Sequence, residues 1–196
     1  MAEAAPHAVR STSAAYLARH GATEWSVAGR HTSTTDLPLL PEGEEAARAL
    51  AGRLAGTSFA EVLTSPLQRA RRTAQLAGFP DAEVCEDLVE WRYGDAEGRT
   101  TTQLREHVPD WTVWTHGCPG GETADEVGAR CDRVAERVRA ASGPVLLFAH
   151  GHVLRVLTAR WLGLPPTDGR LFRLDTATLS ELGYERETPV LLRWNA

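Results

Sequence analysis

Lysine is missing from this chain of 196 residues, so arginine carries all 21 of its basic side chains. Without lysine there is no amine for Schiff-base chemistry and no P-loop built on a phosphate-binding lysine. Cysteine is scarce as well. Cys85, Cys118 and Cys131 are an odd set, far apart and without a C-x-x-C pair, which argues against a disulfide scaffold. No apolar run approaches the length of a membrane span and the first dozen residues hold no apolar signal core, so a cytoplasmic protein is expected. A formal charge of −5 and a pI near 5.8 give no general attraction to nucleic acid or to an anionic membrane. Any anion must therefore be recognised locally, by arginines gathered in a cleft.

What is present reads as one domain, with residues 1–12 as a flexible tail and 13–196 as the folded part. Short apolar segments at 13–17, 60–64, 84–89, 145–148, 179–184 and 190–194 read as strands. Helical patterns lie between them. Pro41 opens one with Ala46, Leu50 and Leu54 on a single face. Ser65 as N-cap and Pro66 in the first position open a second, which ends at Gly78 and puts Arg69 in its first turn. A short helix is expected over 101–107, and another over 152–162 after the fourth strand. Thr123-x-x-Glu126 is a capping box ahead of a helix with Val127, Cys131, Val134 and Val138 in register. This alternation predicts an α/β fold, a single domain whose largely parallel sheet is flanked by helices on both faces.

Two strands end in a histidine followed by glycine, Arg19-His20-Gly21 and Ala149-His150-Gly151. Open α/β sheets gather their ligands at such carboxyl ends. Arg19 supplies a fixed cation, His20 a nucleophile, and Gly21 a position without a Cβ that would let a bulky anion come close. A neutral imidazole can attack phosphorus through one ring nitrogen when the other donates to a fixed acceptor. Phosphoryl transfer spreads negative charge over the equatorial oxygens, which suits a ring of cationic donors.

Four segments, Arg19-His20-Gly21, Ser65-Pro66-Leu67-x-Arg69-Ala70-x-x-Thr73-Ala74, Glu90-x-x-x-Gly94-x-x-x-Gly98 and Ala149-His150-Gly151, resemble the histidine phosphatase superfamily, also called phosphoglycerate mutase-like, in sequence and order. The resemblance covers nearly the whole chain. It implies that His20 becomes phosphorylated, that Arg19, Arg69 and His150 stabilise the transferred phosphoryl group, and that Glu90 is the acid and base. It implies no cofactor and no metal. Trp25-Ser26 and Arg30-His31-Thr32-Ser33 are similar to the family's Trp-Asn and Arg-x-Thr-Gly pattern, which would add Ser26 and Thr32 to the phosphate-binding residues beside Gly21. Ser26 replaces the Asn and Ser33 the Gly, departures from the mutase pattern. The compact length, Trp91-x-Tyr93-Gly94 and the loop from Gly117 to Glu122 look more like the branch of sedoheptulose bisphosphatases and small bacterial acid phosphatases. Trp25, Trp91, Tyr93, Trp111 and Trp114 are candidates for the pocket walls.

Other chemistries compete for the same residues. Cys131 and Arg137 match C-x5-R, the letter pattern of cysteine phosphatases, but inside a helical pattern whose backbone N–H groups are occupied. His150 and His152, with His20, His31 or Asp36, are an alternative metal set. Mutase-type phosphoryl transfer and a non-catalytic phosphate-ester binding protein are further alternatives. The expectation is a metal-independent phosphomonoesterase for a small phosphorylated metabolite, a sugar phosphate among the candidates, with no nucleic-acid or membrane partner and an open oligomeric state.

Overall fold

The structure, a computed structural model, describes residues 13–196, and the tail expected at 1–12 lies outside the described residues. Six strands form one sheet in the order β3-β2-β4-β1-β5-β6. β1 (Ala15–Arg19), β2 (Glu61–Thr64), β3 (Glu83–Val84) and β4 (Val145–Ala149) run parallel, while β5 (Leu179–Glu185) and β6 (Thr188–Arg193) add an antiparallel edge. The period-2 alternation of the strands sorts two cores. Leu17, Leu63 and Leu147 pack with Val134 of α6 (Ala124–Ala140) and Leu154 of α7 (Gly151–Trp161). Ala18, Leu146 and Phe148 pack on the other face with Leu50 and Leu54 of α2 (Pro41–Leu54) and Ala74 of α3 (Gln68–Leu76). Every residue of β4 is buried, as a central strand covered on both faces requires.

Three local expectations need correction. The third strand stops after Val84 and the chain enters a 3-10 turn at Glu86–Leu88. Arg130 Nη1 takes the carbonyls of Asp87 and Val89, at 2.8 and 2.7 Å, so these acceptors serve an arginine instead of a ladder. The helix assigned to a Ser65 cap begins only at Gln68, whose N–H donates to Asp36 Oδ1 at 2.9 Å. In α2 the buried face uses Gly43, Ala47, Leu50 and Leu54, and Ala46 is exposed.

The connections place the site. After β1 the chain passes to α2 on one face, and after the neighbouring β4 it passes to α7 on the other. This divergence of adjacent parallel strands opens a crevice at their carboxyl ends. Gly21 and Gly43 allow α2 to seat against that loop. A Cβ on Gly21 would lie 2.3 Å from Gly43 O, and one on Gly43 would lie 2.3 Å from Ala22 O. The missing Cβ of Gly21 is thus filled by a helix, where the sequence suggested room for an anion.

Two substitutions in the same helix separate this contact from simple propensity. Gly43→Ala forces backbone apart and should cost on the order of 2–3 kcal/mol in urea unfolding. Gly52→Ala, exposed and with nothing within 4 Å of the new Cβ, should stabilise by about 0.5–1 kcal/mol. A neutral Gly43→Ala would contradict the packing described here.

Candidate active site

His20 follows β1 directly, and its N–H extends the ladder to Ala149 O at 3.0 Å. Its ring Nδ1 lies 2.7 Å from Gly21 O. A carbonyl only accepts, so Nδ1 carries the proton and the Nε2 lone pair is free. Burial, and then the charges of Arg19 and Arg69, push the His20 pKa well below the usual histidine range. The result is a neutral imidazole in a cationic setting. His150, at the N-cap of α7, has its ring 5.1 Å from that of His20. Its Nδ1 accepts from Arg69 Nε at 3.1 Å and its Nε2 donates to Ser65 Oγ at 2.8 Å, the opposite tautomer. Burial and then Arg69 hold its pKa well below the ordinary value too.

Arg19 and Arg69 differ in what their donors are doing. Arg19 gives one Nη1 bond to Leu174 O, while its buried Nε has no hydrogen-bond partner among the described residues. The absent side chain of Gly151 makes space for it, since a Cβ there would sit 3.3 Å from Arg19 Cζ. Arg69 is fully buried. Besides His150 it binds the carbonyls of Thr35 at 3.1 Å, Thr32 at 3.3 Å and Ser33 at 3.2 Å. Arg69 and His150 are both fully buried, and neither is among the residues that line the cleft.

Glu90 lines the same crevice as His20 and Arg19. Its Oε1 accepts from Trp91 N and Val153 N, both at 2.9 Å, and its Oε2 from His152 N at 3.0 Å. The N-terminus of α7, with its unpaired N–H groups, thus positions the carboxylate. A buried pair supports this segment from behind. Arg130 grips Glu122 through Nε at 3.0 Å and Nη2 at 3.1 Å, and Glu122 also accepts from Arg92 N at 2.9 Å. Neither was singled out in the sequence. The signals available were a glutamate immediately before the capping box and an arginine on the apolar stripe of α6.

The cleft in front of His20 has a volume of about 440 Å³ and includes Ser26, Thr32, Tyr93, Trp111 and Trp114 in its wall. The hydroxyl of Ser26 is already engaged with Thr23, accepting from its N–H and donating to its carbonyl, and that of Thr32 donates to Arg30 O at 3.0 Å. Gly21 N–H is likewise occupied, donating to Thr73 Oγ1 at 3.0 Å. Trp91 is buried beneath the wall, with Nε1 donating to Glu122 O at 2.8 Å, and Trp25 packs over Gly98. Two imidazoles take their place. His31 donates Nδ1–H to Arg99 O at 2.8 Å, which leaves Nε2 as an acceptor, and His152 Nδ1 meets Tyr93 Oη at 2.6 Å. Burial keeps both neutral-leaning and, followed by the nearby Glu90, raises the Tyr93 phenol.

The competing constellations fare differently. Both ring nitrogens of His150 are committed to Arg69 and Ser65, and among the described residues no group of three or more potential ligands is placed to hold a metal. Cys131 lies inside α6, buried, and its thiol is pushed up to about 12 by burial. Such a thiol is a poor nucleophile.

Comparison with known proteins agrees with this geometry. The model of the histidine phosphatase superfamily (branch 1) matches residues 15–196. An acid phosphatase of Mycobacterium tuberculosis is 43% identical over 174 residues, covering 86% of this chain and 85% of that protein. Sedoheptulose 1,7-bisphosphatase of Saccharomyces cerevisiae is 34% identical over 181 residues, covering 76% and 67% respectively. A solved structure of an open reading frame product from Mycobacterium tuberculosis is similar with a TM-score of 0.88 at 40% identity, over 93% of this chain and 97% of that one. A match over the whole described fold, centred on a neutral strand-end histidine among arginines, makes this chain a member of the histidine phosphatase superfamily.

Proposed function

We propose that the protein hydrolyses phosphate monoesters of small metabolites, sugar phosphates among them, through a phosphohistidine on His20. One observation carries this reading: the Nδ1–H bond to Gly21 O leaves Nε2 of a neutral His20 free, in a cleft also lined by Arg19, whose buried Nε–H has no partner among the described residues. The Nε2 lone pair forms the P–N bond as the ester P–O bond breaks, and Glu90, entering this step as the carboxylic acid, gives its proton to the departing oxygen and is left as the carboxylate. Water then attacks phosphorus, Glu90 takes a proton from it, and the P–N electron pair returns to Nε2. Arg19, Arg69 and His150 stabilise the charge on the phosphoryl oxygens during transfer. No step calls for a metal ion. Relatives named acid phosphatase and sedoheptulose 1,7-bisphosphatase support hydrolysis and a sugar phosphate as substrate. The three cysteines are unpaired, as suits a reducing cytoplasm.

The reading is tested on esters that differ only in leaving group. The protein should release p-nitrophenol from its phosphate with and without EDTA. Glu90→Gln should lose on the order of 10²–10⁴-fold on an alkyl phosphate and far less on the aryl ester, whose phenolate leaves unaided. Because both losses are read in one variant, the donor–donor clash that Gln makes with His152 N–H cancels. Equal losses would remove Glu90 as general acid, and inertness toward both esters would overturn the reading.

The pH profile provides an independent check. His20 and His150 are neutral down to pH values well below the usual 6.5. Corrected for phosphate ionisation near pH 6, kcat/KM should therefore hold as pH falls through 6.5 and decline only below it. An acid limb at 6.5 or above would mean that His20 is an ordinary solvated histidine.

A further inference from the structure

Glu90 sits on a stretch of chain that no regular element supports, because Val89 to Arg92 lies between a 3-10 turn ending at Leu88 and another beginning at Gly94. Such backbone needs partners from elsewhere. It finds them in one buried pair. Arg130 Nη1 binds the carbonyls of Asp87 and Val89, on the N-terminal side of Glu90, at 2.8 and 2.7 Å. On the C-terminal side Glu122 accepts from Arg92 N–H through Oε2 at 2.9 Å, donates its own N–H to Arg92 O at 2.8 Å, and accepts Trp91 Nε1–H on its carbonyl at 2.8 Å. The Arg130–Glu122 bonds, from Nε to Oε1 and from Nη2 to Oε2, tie the two grips together.

Neither residue lines the cleft in front of His20, so the pair can act on the reaction only through what it holds. A planar guanidinium suits the task, since four of its five N–H donors reach four acceptors from three separate parts of the chain. What the pair holds is the placement of a carboxylate. Glu90 Oε1 accepts from Trp91 N–H and Val153 N–H, which fills both of its lone pairs, whereas Oε2 accepts only from His152 N–H. Oε2 therefore keeps the lone pair on which a transferable proton sits. His152 N–H and Val153 N–H belong to the first turn of α7 and have no partner within the helix. They reach the carboxylate only while residues 89–92 stay in place.

We propose that Arg130 and Glu122 are positioning residues for the acid–base group: together they seat the Glu90 carboxylate on the first turn of α7 and leave Oε2 to carry the proton. The proposal rests on the phosphatase reading and deepens it. A pair that only stabilised the fold would, when weakened, lower turnover of every ester alike. One that seats Glu90 makes the loss depend on how much the leaving group needs a proton.

The test measures kcat/KM for an alkyl and an aryl phosphate, which reads events up to release of the alcohol, in two variants. Arg130→Lys keeps the charge beside Glu122 but presents its donors from a single atom, so it cannot span both carbonyls and both carboxylate oxygens. Arg130→Met/Glu122→Gln removes both charges at once and leaves no unpaired ion in the interior to unfold the protein. Each should lose on the order of 10–100-fold on the alkyl ester, as a misplaced catalytic group does, and far less on the aryl ester. Introduced into Glu90→Gln, Arg130→Lys should change the alkyl rate by less than about threefold, because the two substitutions remove one function. Arg137→Lys, on the same helix but bonded to Glu61 and Glu83, should leave the alkyl-to-aryl ratio as in wild type. Equal losses on both esters, an undiminished loss in Glu90→Gln, or the same shift in ratio from Arg137→Lys overturns the proposal.

Amide hydrogen exchange gives a readout that needs no turnover. His152 and Val153 N–H should exchange at least about tenfold faster in Arg130→Lys than in wild type, as local opening frees them, while Leu147 in β4 keeps its rate. If Glu90→Gln harms both esters equally, or no ester is hydrolysed, the acid–base or phosphatase reading fails and exchange alone decides. Faster exchange at 152 and 153 upholds the seating of Glu90, and unchanged exchange overturns it.

Discussion

A buried guanidinium without a close carboxylate must place its N–H groups on neutral acceptors, and Arg69 does so at the centre of this molecule. Its nearest carboxylate, Asp36, is 3.9 Å away, while the bonds go to His150 and to carbonyls of the loop holding Thr32, Ser33 and Thr35. The consequences spread outward from that set. Donation to Nδ1 fixes the tautomer of His150 and sends its Nε2–H to Ser65. The captured loop carries His31 and Thr32 into the cleft wall and sets Ser33 Oγ 3.3 Å from Glu90 O. One arginine thereby joins the ends of β2 and β4, the start of α3 and the loop after α1 (Glu24–Val27).

The same charge explains the electrostatic state of the site. Histidines cut off from water by burial, and then packed near Arg19 and Arg69, hold no proton readily, so both strand-end imidazoles stay neutral. The carboxylate of Glu90 is the main counter-charge that Arg19 and Arg69 feel, but its hydrogen bonds go to the N-terminus of α7 and to Trp91 N–H, not to a guanidinium. Nucleophile, cations and acid–base group thus coexist without collapsing into ion pairs. An approaching dianion then meets donors that need little rearrangement.

Much of the frame was legible in the sequence because it rests on local rules. Short apolar segments marked β1 and β4, Thr123 and Glu126 announced α6, and the two His-Gly pairs marked the strand ends where His20 and His150 lie with rings 5.1 Å apart. What escaped depends on contacts distant in sequence. Arg130 shortens β3 from 41–43 residues away, Asp36 supplies a cap to α3 from 32 residues away, and Gly21 answers to a helix that no local pattern places against it. Ser26 and Thr32 reach the cleft, yet their hydroxyls are spent on neighbouring backbone, a choice that residue type alone does not reveal. His31 and His152 were visible only as a metal alternative, because their role as wall imidazoles depends on Arg99 O and Tyr93.

The central claim is that Nε2 of His20 takes the phosphoryl group. Rapid mixing with an aryl phosphate, followed by alkaline quench, tryptic mass spectrometry and phosphorus NMR, measures this directly. The account predicts an acid-labile, base-stable phosphate on His20, attached at Nε2 because Nδ1 is bonded to Gly21 O. Phosphate on Nδ1, on another residue, or on no residue during sustained burst turnover would contradict it.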